Sequence, residues 1–195
     1  MKVLKLLLVL LAGLGAVGFI YMGVYPIGAD VPHTRPVYWL LETVRERSIA
    51  ARIGGIDAPP LDDPQMLLAG GADYNDMCAG CHLKPGRTES DMSIGLYPKP
   101  PNLAQAADAH GDSHEHDDAR ASAARQFWII KHGIKASAMP AWGPTHDDAR
   151  IWAMVAFLQK LPTLTPAQYQ ILTARGDGGM EHDESSAGEG SEHHD

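Results

Sequence analysis

The sequence predicts an all-α protein with one N-terminal transmembrane helix. Uncharged, mostly apolar residues fill positions 6–25, and later segments repeat apolar residues with a helical period. No run alternates apolar and polar residues for long enough to form a sheet. At 195 residues, the chain has room for one domain with attachments. We divide it into a cytoplasmic N-terminus at 1–5, an anchor at 6–25, an arm and linker at 26–60, a domain at 61–175, and a disordered acidic tail containing His at 176–195.

The apolar run at 6–25 is long enough to cross a bilayer. Twenty helical residues rise about 30 Å, which is the thickness of the hydrocarbon core. A cleaved signal peptide is the alternative, but its apolar segment is shorter, and the small residues around Gly28 do not have the spacing of a cleavage site. Lys2 and Lys5 favour a cytoplasmic N-terminus. We therefore expect an uncleaved single-pass anchor, with the rest of the chain outside the cytoplasm.

The net charge of −8 is concentrated in two segments. Residues 108–118 and 176–195 together hold half of the 24 acidic residues, so the remainder is near neutral. No basic run interleaved with aromatic residues occurs, and nucleic acid is not an expected partner. His110, His114 and His116 lie in the first segment, where they could bind a divalent cation weakly. Solvated surface charge is the alternative for this segment, which has the character of an insertion.

Between anchor and domain, a helical pattern with one apolar face starts at Pro36 and ends at Gly54. We interpret it as an amphipathic arm. Tyr38 and Trp39 within it could lie at the level of the lipid headgroups or pack on the domain. A partner subunit could also bind this segment.

Four helices are predicted for the domain. The first begins at Asp62 or Asp63 before Pro64 and runs to Cys78. Gly70 and Gly71 inside it cost about 1 kcal/mol each relative to Ala, so we expect another helix to cross closely there. The other three are expected at 119–132, from a capping box of Thr145 and Asp148 to Pro162, and from Thr165 to just before Gly176.

Near the end of the first helix stands Cys78-Ala79-Gly80-Cys81-His82, the attachment pattern of c-type haem. Two sulfurs at this spacing can form thioethers to the two vinyl groups of the porphyrin, and the His that follows faces the iron. A structural disulfide, a zinc half-site and a thioredoxin-like redox pair are the alternatives. Zinc would need two further ligands at a matching spacing, and a thioredoxin-like site would need a βαβ pattern, which the sequence does not show.

Met139 is the candidate for the sixth iron ligand. It lies about 57 residues beyond His82, in a loop between two predicted helices, and Pro140 restricts the backbone beside it. A thioether there can bind the open face of the iron, whereas a Met is otherwise more often a core residue. The rival ligands are Met92, in a loop before Pro98, and the two histidines at helix ends, His132 and His146.

Residues 62–162 resemble a class I c-type cytochrome of the bacterial mono-haem, membrane-anchored kind that occurs as an oxidase or dehydrogenase subunit. The resemblance rests on four pieces of sequence. They are Gly71 with Tyr74 ahead of the Cys-Ala-Gly-Cys-His run, Pro100-Pro101-Asn102-Leu103, Met139-Pro140-Ala141-Trp142-Gly143, and residues 152–158. The resemblance implies a cytochrome c fold, with three to five helices around one haem c bound through both cysteines. It also implies that the Pro101 carbonyl accepts a hydrogen bond from Nδ1–H of His82.

On this basis we expect a tethered carrier of single electrons rather than an enzyme, and no residue has the setting of a catalytic group. Its expected partners are a respiratory electron donor and an acceptor such as a terminal oxidase or a periplasmic redox enzyme. The expected location is the bacterial inner membrane, with the haem domain in the periplasm. Two alternatives stay open: a haem enzyme or gas or peroxide sensor with a labile Met ligand, and a fixed subunit of a larger oxidoreductase. Trp128, Lys131 and Trp142 are candidates for contacts with the haem propionates.

Overall fold

The computed structural model describes residues 1–105 and 115–174, with side chains in 1–105 and 121–174. Within these residues the chain is helical and contains no strand, so the all-α prediction is confirmed. The helices are α1 Lys2–Tyr21, α2 Arg35–Ile53, α3 Pro64–Asp73, α4 Ala79–His82, α5 Asp91–Gly95, α6 Glu115–His132, α7 Asp148–Lys160 and α8 Pro166–Thr173. A π-helical turn, Tyr74–Cys78, joins α3 to α4, and a 3₁₀ turn, Leu161–Thr163, follows α7.

Helix α1 is the one helix in the described part of the chain that is long and apolar enough to cross a membrane. None of its residues is buried against the rest of the protein. The helix ends at Tyr21, four residues before the end of the predicted anchor at 6–25. Gly23, with φ of +60°, turns the chain out of the helical path there.

The core forms where α3 crosses α7. A methyl group at Gly70 would lie 1.9 Å from the carbonyl oxygen of Ala153, so the two backbones meet without a side chain between them. At Gly71 the nearest atoms belong to the Leu172 carbonyl of α8 and to the ring of Phe157. The predicted close crossing is thereby confirmed. Phe157 and the largest buried side chains around it form the core. They include Tyr74, Ile151, Met154, Val155 and Leu161.

Of the four helix starts predicted for the domain, those of α3 and α8 are confirmed, the helix expected from 119 begins at Glu115, and the predicted cap of α7 is wrong. The Asp63 carboxylate accepts a hydrogen bond from the Gln65 amide at the start of α3, and Thr165 forms a capping box with Gln168 at the start of α8. The predicted capping box of Thr145 and Asp148 does not form. Asp147 caps α7 instead, because the Thr145 amide is held in a turn by the carbonyl of Trp142.

The first helix of the domain also differs from the prediction. Regular α-helix ends at Asp73, and the chain reaches Cys78 through the π-helical turn. Helix α5 was not predicted: Ser90 and Ser93 cap it reciprocally, although the segment is too short to show a helical period.

Candidate haem-binding site

The π-helical turn and α4 present the two cysteines and His82 as one continuous helical path. The backbone leaves that path at Leu83, whose φ is +72°. Both thiols are free and half-buried, so no disulfide occupies them. Burial raises the pKa of the Cys78 thiol to about 12, and the charges of Asp73 and Cys81 add to the effect. In the chain as described, Cys78 is therefore a neutral thiol.

The His82 ring is held by a single backbone acceptor. Its Nδ1 lies 3.0 Å from the carbonyl oxygen of Pro101. A carbonyl can only accept, so Nδ1 carries the proton and Nε2 of the neutral ring keeps its lone pair. Burial lowers the pKa of His82, while the bond to Pro101 acts in the opposite direction. The imidazole is thus fixed in the tautomer that can bind a metal through Nε2.

The segment that carries Pro101 is tied to the His82 turn by two further contacts. The Leu103 amide donates to the His82 carbonyl at 3.1 Å. The Asn102 side-chain amide donates to the Arg87 carbonyl at 3.2 Å. Pro101, whose carbonyl accepts the hydrogen bond from the His82 ring, therefore lies in a segment that is itself held by hydrogen bonds.

Tyr74 supports the same turn from the core side. Its hydroxyl donates to the Leu83 carbonyl at 2.7 Å and lies 3.2 Å from the His82 carbonyl. Burial raises the pKa of Tyr74, so the phenol stays protonated and remains a donor. The ring packs beside Phe157, with centroids 5.5 Å apart. The turn that ends at His82 is thereby fastened to the centre of the core.

The loop with Met139 packs back on the end of α6. Gly133, with φ of +65°, ends that helix, and a methyl group there would lie 2.8 Å from the Met139 carbonyl oxygen. The Ile134 amide donates to that same carbonyl at 3.1 Å, and the Met139 amide donates to the Ser137 hydroxyl at 3.1 Å. Met139 is half-buried against the core, as are Cys78 and Leu103.

The rival ligands lie in other settings. Met92, predicted in a loop, lies in α5 and is 55% exposed. The His132 ring packs on Trp128, with centroids 4.9 Å apart. His146 follows the Met139 loop, and its Nε2 is buried without a hydrogen-bond partner among the described residues. No local pattern indicated this buried nitrogen, because a His before a helix start is ordinarily a surface residue.

The three candidates for contacts with the haem propionates lie in two different places in the structure. Trp142 packs against the core with Met139. Trp128 and Lys131 instead line a groove of about 430 Å³ beside Arg52 and Asp57, at the end of the arm. The Lys131 ammonium is paired there with Asp148 at 2.6 Å.

One ion pair important to the site could not be found from sequence. Arg150 of α7 donates two hydrogen bonds to the buried carboxylate of Asp73, at 2.6 and 2.8 Å. Asp73 raises the pKa of Arg150, chiefly through these bonds. The pair joins the start of α7 to the end of α3, directly before the turn that carries the cysteines. The two residues lie 77 positions apart, and no local pattern connects them.

The donor set fits covalently bound haem. Two unpaired thiols and an imidazole with a free Nε2 lie on one helical path, and these are the groups that a c-type haem requires. No group of three or more metal-binding side chains occurs among the residues that the structure describes. The side chains of His110, His114 and His116 and the tail at 176–195 lie outside the described residues.

Comparison with known proteins identifies the domain. Residues 65–158, slightly less than half of the chain, match the family described as cytochrome c oxidase, cbb3-type, subunit III. Searches of curated proteins and of solved structures gave no match. A domain of this family implies covalently bound haem c, and Cys78, Cys81 and His82 fit its attachment motif.

Proposed function

Since this chain is a membrane-anchored class I c-type cytochrome, we propose that it is a carrier of single electrons. Its donor would be a respiratory enzyme, and its acceptor a terminal oxidase or a periplasmic redox enzyme. Haem c, when bound through Cys78 and Cys81, supplies a one-electron couple between ferric and ferrous iron. We place the protein in the bacterial inner membrane as a single-pass protein, with the haem domain in the periplasm.

The observation that carries this proposal is the fixed His82 ring. Its Nδ1–H is committed to the Pro101 carbonyl, so its Nε2 is available to the iron. The loop around Met139 packs against the same core, and its thioether would serve as a second iron ligand when haem is bound. With His82 and Met139 as its ligands, the iron would have no coordination site left for a substrate. Ligation by His and Met also favours the reduced iron relative to stronger donors.

The residues that hold the candidate ligands His82 and Met139 in place suit a protein that transfers electrons. Tyr74 and Pro101 hold the His82 turn by hydrogen bonds, and Gly133 and Ser137 hold the Met139 loop. Groups held in place by packing and hydrogen bonds move little when the charge of a neighbouring centre changes. A one-electron change at this site therefore requires little rearrangement of the chain.

A potentiometric titration followed in the visible spectrum tests the proposal. The expected result is one reversible transition that fits a single electron, together with an absence of peroxidase turnover by the purified protein. The alternative, an enzyme or sensor with a labile Met139 ligand, predicts peroxide turnover or gas binding in the unmodified protein. Such turnover would overturn the carrier proposal.

A second candidate function is a fixed subunit of a larger oxidoreductase. It is favoured by the description of the matched family, which names a subunit of a cytochrome oxidase. Purification of the full chain in mild detergent at moderate salt separates the two. A stoichiometric partner that stays bound through the purification supports the subunit, whereas recovery of the chain alone supports a free carrier.

A further inference from the structure

The first half of α2 presents an apolar stripe that is largely exposed. Val37, Leu40, Leu41 and Val44 recur at the spacing i, i+3, i+4 and i+7, which places them on one face. Leu40, Leu41 and Val44 are each more than half exposed. We call these four residues the arm stripe.

The opposite face of α2 is the one that packs on the domain. Ile49 is buried, and the Glu46 carboxylate pairs with Arg125 of α6 at 2.9 Å. At 100° per residue, Glu46 and Ile49 lie on the far side of the helix from the arm stripe. While the arm keeps these contacts, the domain therefore leaves Leu40, Leu41 and Val44 exposed, and only Val37 of the stripe is half-buried.

The start of α2 is tied to the end of the anchor. The Tyr25 hydroxyl lies 2.8 Å from Nδ1 of His33, which is eight positions further along the chain and two residues before α2 begins. The His33 amide in turn donates to the Tyr97 hydroxyl of the domain at 3.2 Å. Tyr25 follows the membrane helix by only four residues, so these bonds hold the first turn of α2 near the membrane surface.

The residues around the arm stripe have the composition of an interfacial helix. Tyr38 and Trp39 are exposed in the first turns of the same helix, where both residue types concentrate at the level of the headgroups, but they lie off the stripe, toward the side of Ile49 and Glu46. Arg47 is exposed beside the stripe, whereas the acids Glu42 and Glu46 are paired with Arg45 and Arg125 on the domain side. The exposed face thus offers apolar area and positive charge together, which suits an anionic lipid surface.

We propose that α2 lies on the lipid surface, with the arm stripe inserted at the boundary between headgroups and acyl chains. The membrane then holds the domain at two places, through α1 and through α2. Because Ile49 and the Glu46–Arg125 pair fix α2 to α6, this contact also fixes which side of the domain faces the bilayer. Redox partners would then dock on the sides that face away from it. This inference rests on the anchor and does not depend on the electron-transfer proposal.

Cysteine accessibility in the full haem-loaded chain tests the contact. Leu41→Cys and Val44→Cys place a thiol in the arm stripe, and Ala50→Cys is the matched control on another exposed face of the same helix. Each variant is reconstituted in nanodiscs of phosphatidylcholine and phosphatidylglycerol and labelled with a charged maleimide. The unmodified protein gives the background. An unchanged haem spectrum verifies folding, and Leu40→Cys replaces any variant that fails this check.

An interfacial stripe predicts labelling at positions 41 and 44 about tenfold slower than at position 50. Equal rates at all three positions in nanodiscs would overturn the proposal. If positions 41 and 44 then became protected in native membranes, the stripe would be assigned to a protein partner instead.

Discussion

Replacing Gly70 by Ala tests whether the crossing of α3 and α7 has been described correctly. The new methyl group would lie 1.9 Å from the Ala153 carbonyl oxygen and 2.8 Å from the Met154 amide nitrogen. Both are backbone atoms of a buried helix and cannot rotate away, so the helices would have to separate by about 1 Å in a close-packed core. Overpacking of this kind costs about 1–3 kcal/mol, and a backbone clash belongs at the upper end or above it.

Ala also favours the helical conformation by about 1 kcal/mol relative to Gly, so the free energy of unfolding should fall by about 2 kcal/mol in all. With a urea slope of about 1–3 kcal/mol per molar, the unfolding midpoint should fall by about 1 M. Unfolding is followed by far-ultraviolet circular dichroism and by the Soret band in parallel.

Gly54→Ala is the matched control for this experiment. Gly54 has an ordinary helical φ of −64°, and no atom lies within 4 Å of its added methyl group. This control should be neutral or stabilising by up to about 1 kcal/mol. A Gly70→Ala variant that unfolds at the same urea concentration as the control would refute the described crossing.

Three further substitutions test the supports of the site. Asp73→Asn removes the buried charge that pairs with Arg150, so we expect the free energy of unfolding from a urea titration to fall by about 2–3 kcal/mol, with Asp73→Glu for comparison. Tyr74→Phe leaves a buried carbonyl without its donor and should cost about 1–2 kcal/mol, with no change in the reduced haem spectrum; a neutral result would contradict the 2.7 Å hydrogen bond. Burial raises the pKa of Glu46, but the hydrogen bonds and charges of Arg125 and Arg45 outweigh this and lower the pKa from its usual value of 4.5. The stability that this ion pair adds is therefore present above pH 4.5 and is lost as the pH falls through the folded-state pKa. Glu46→Gln should therefore be less stable by under about 1 kcal/mol at pH 6, and a difference that persists at pH 3 would speak against the ion pair.

Local signals in the sequence were sufficient to predict that α3, α6, α7 and α8 exist and that another helix crosses α3 closely, but not to predict α5. Asp63 and Thr165 were recognisable as helix caps because their side chains act within three residues. Gly70 was recognisable as a crossing point because a glycine inside a helix needs a packing reason. The thiols and the following His could be recognised in the same way, because covalent attachment requires a fixed local spacing.

What could not be predicted depends on residues that are distant in sequence. The pairing of Asp73 with Arg150 spans 77 positions, and the link from Tyr25 through His33 to Tyr97 joins three separate segments. Such contacts depend on how whole helices pack, and a single sequence carries no periodic signal for them.

The start of α7 was mispredicted for a related physical reason. Thr145 and Asp147 are both good capping residues, and propensity alone does not choose between them. The choice is made by the turn that follows Trp142, which draws the Thr145 amide and hydroxyl to its carbonyl and leaves Asp147 to accept from the Arg150 amide.

Carbon monoxide binding by the reduced protein tests the central claim most directly, because the gas requires an open axial position on the iron. If His82 and Met139 fill both positions, carbon monoxide should leave the visible spectrum of the unmodified protein unchanged. Met139→Ala should open one position, bind the gas readily and lower the midpoint potential. An unmodified protein that binds carbon monoxide as readily as Met139→Ala would contradict the assignment of Met139 and, with it, the electron-carrier account.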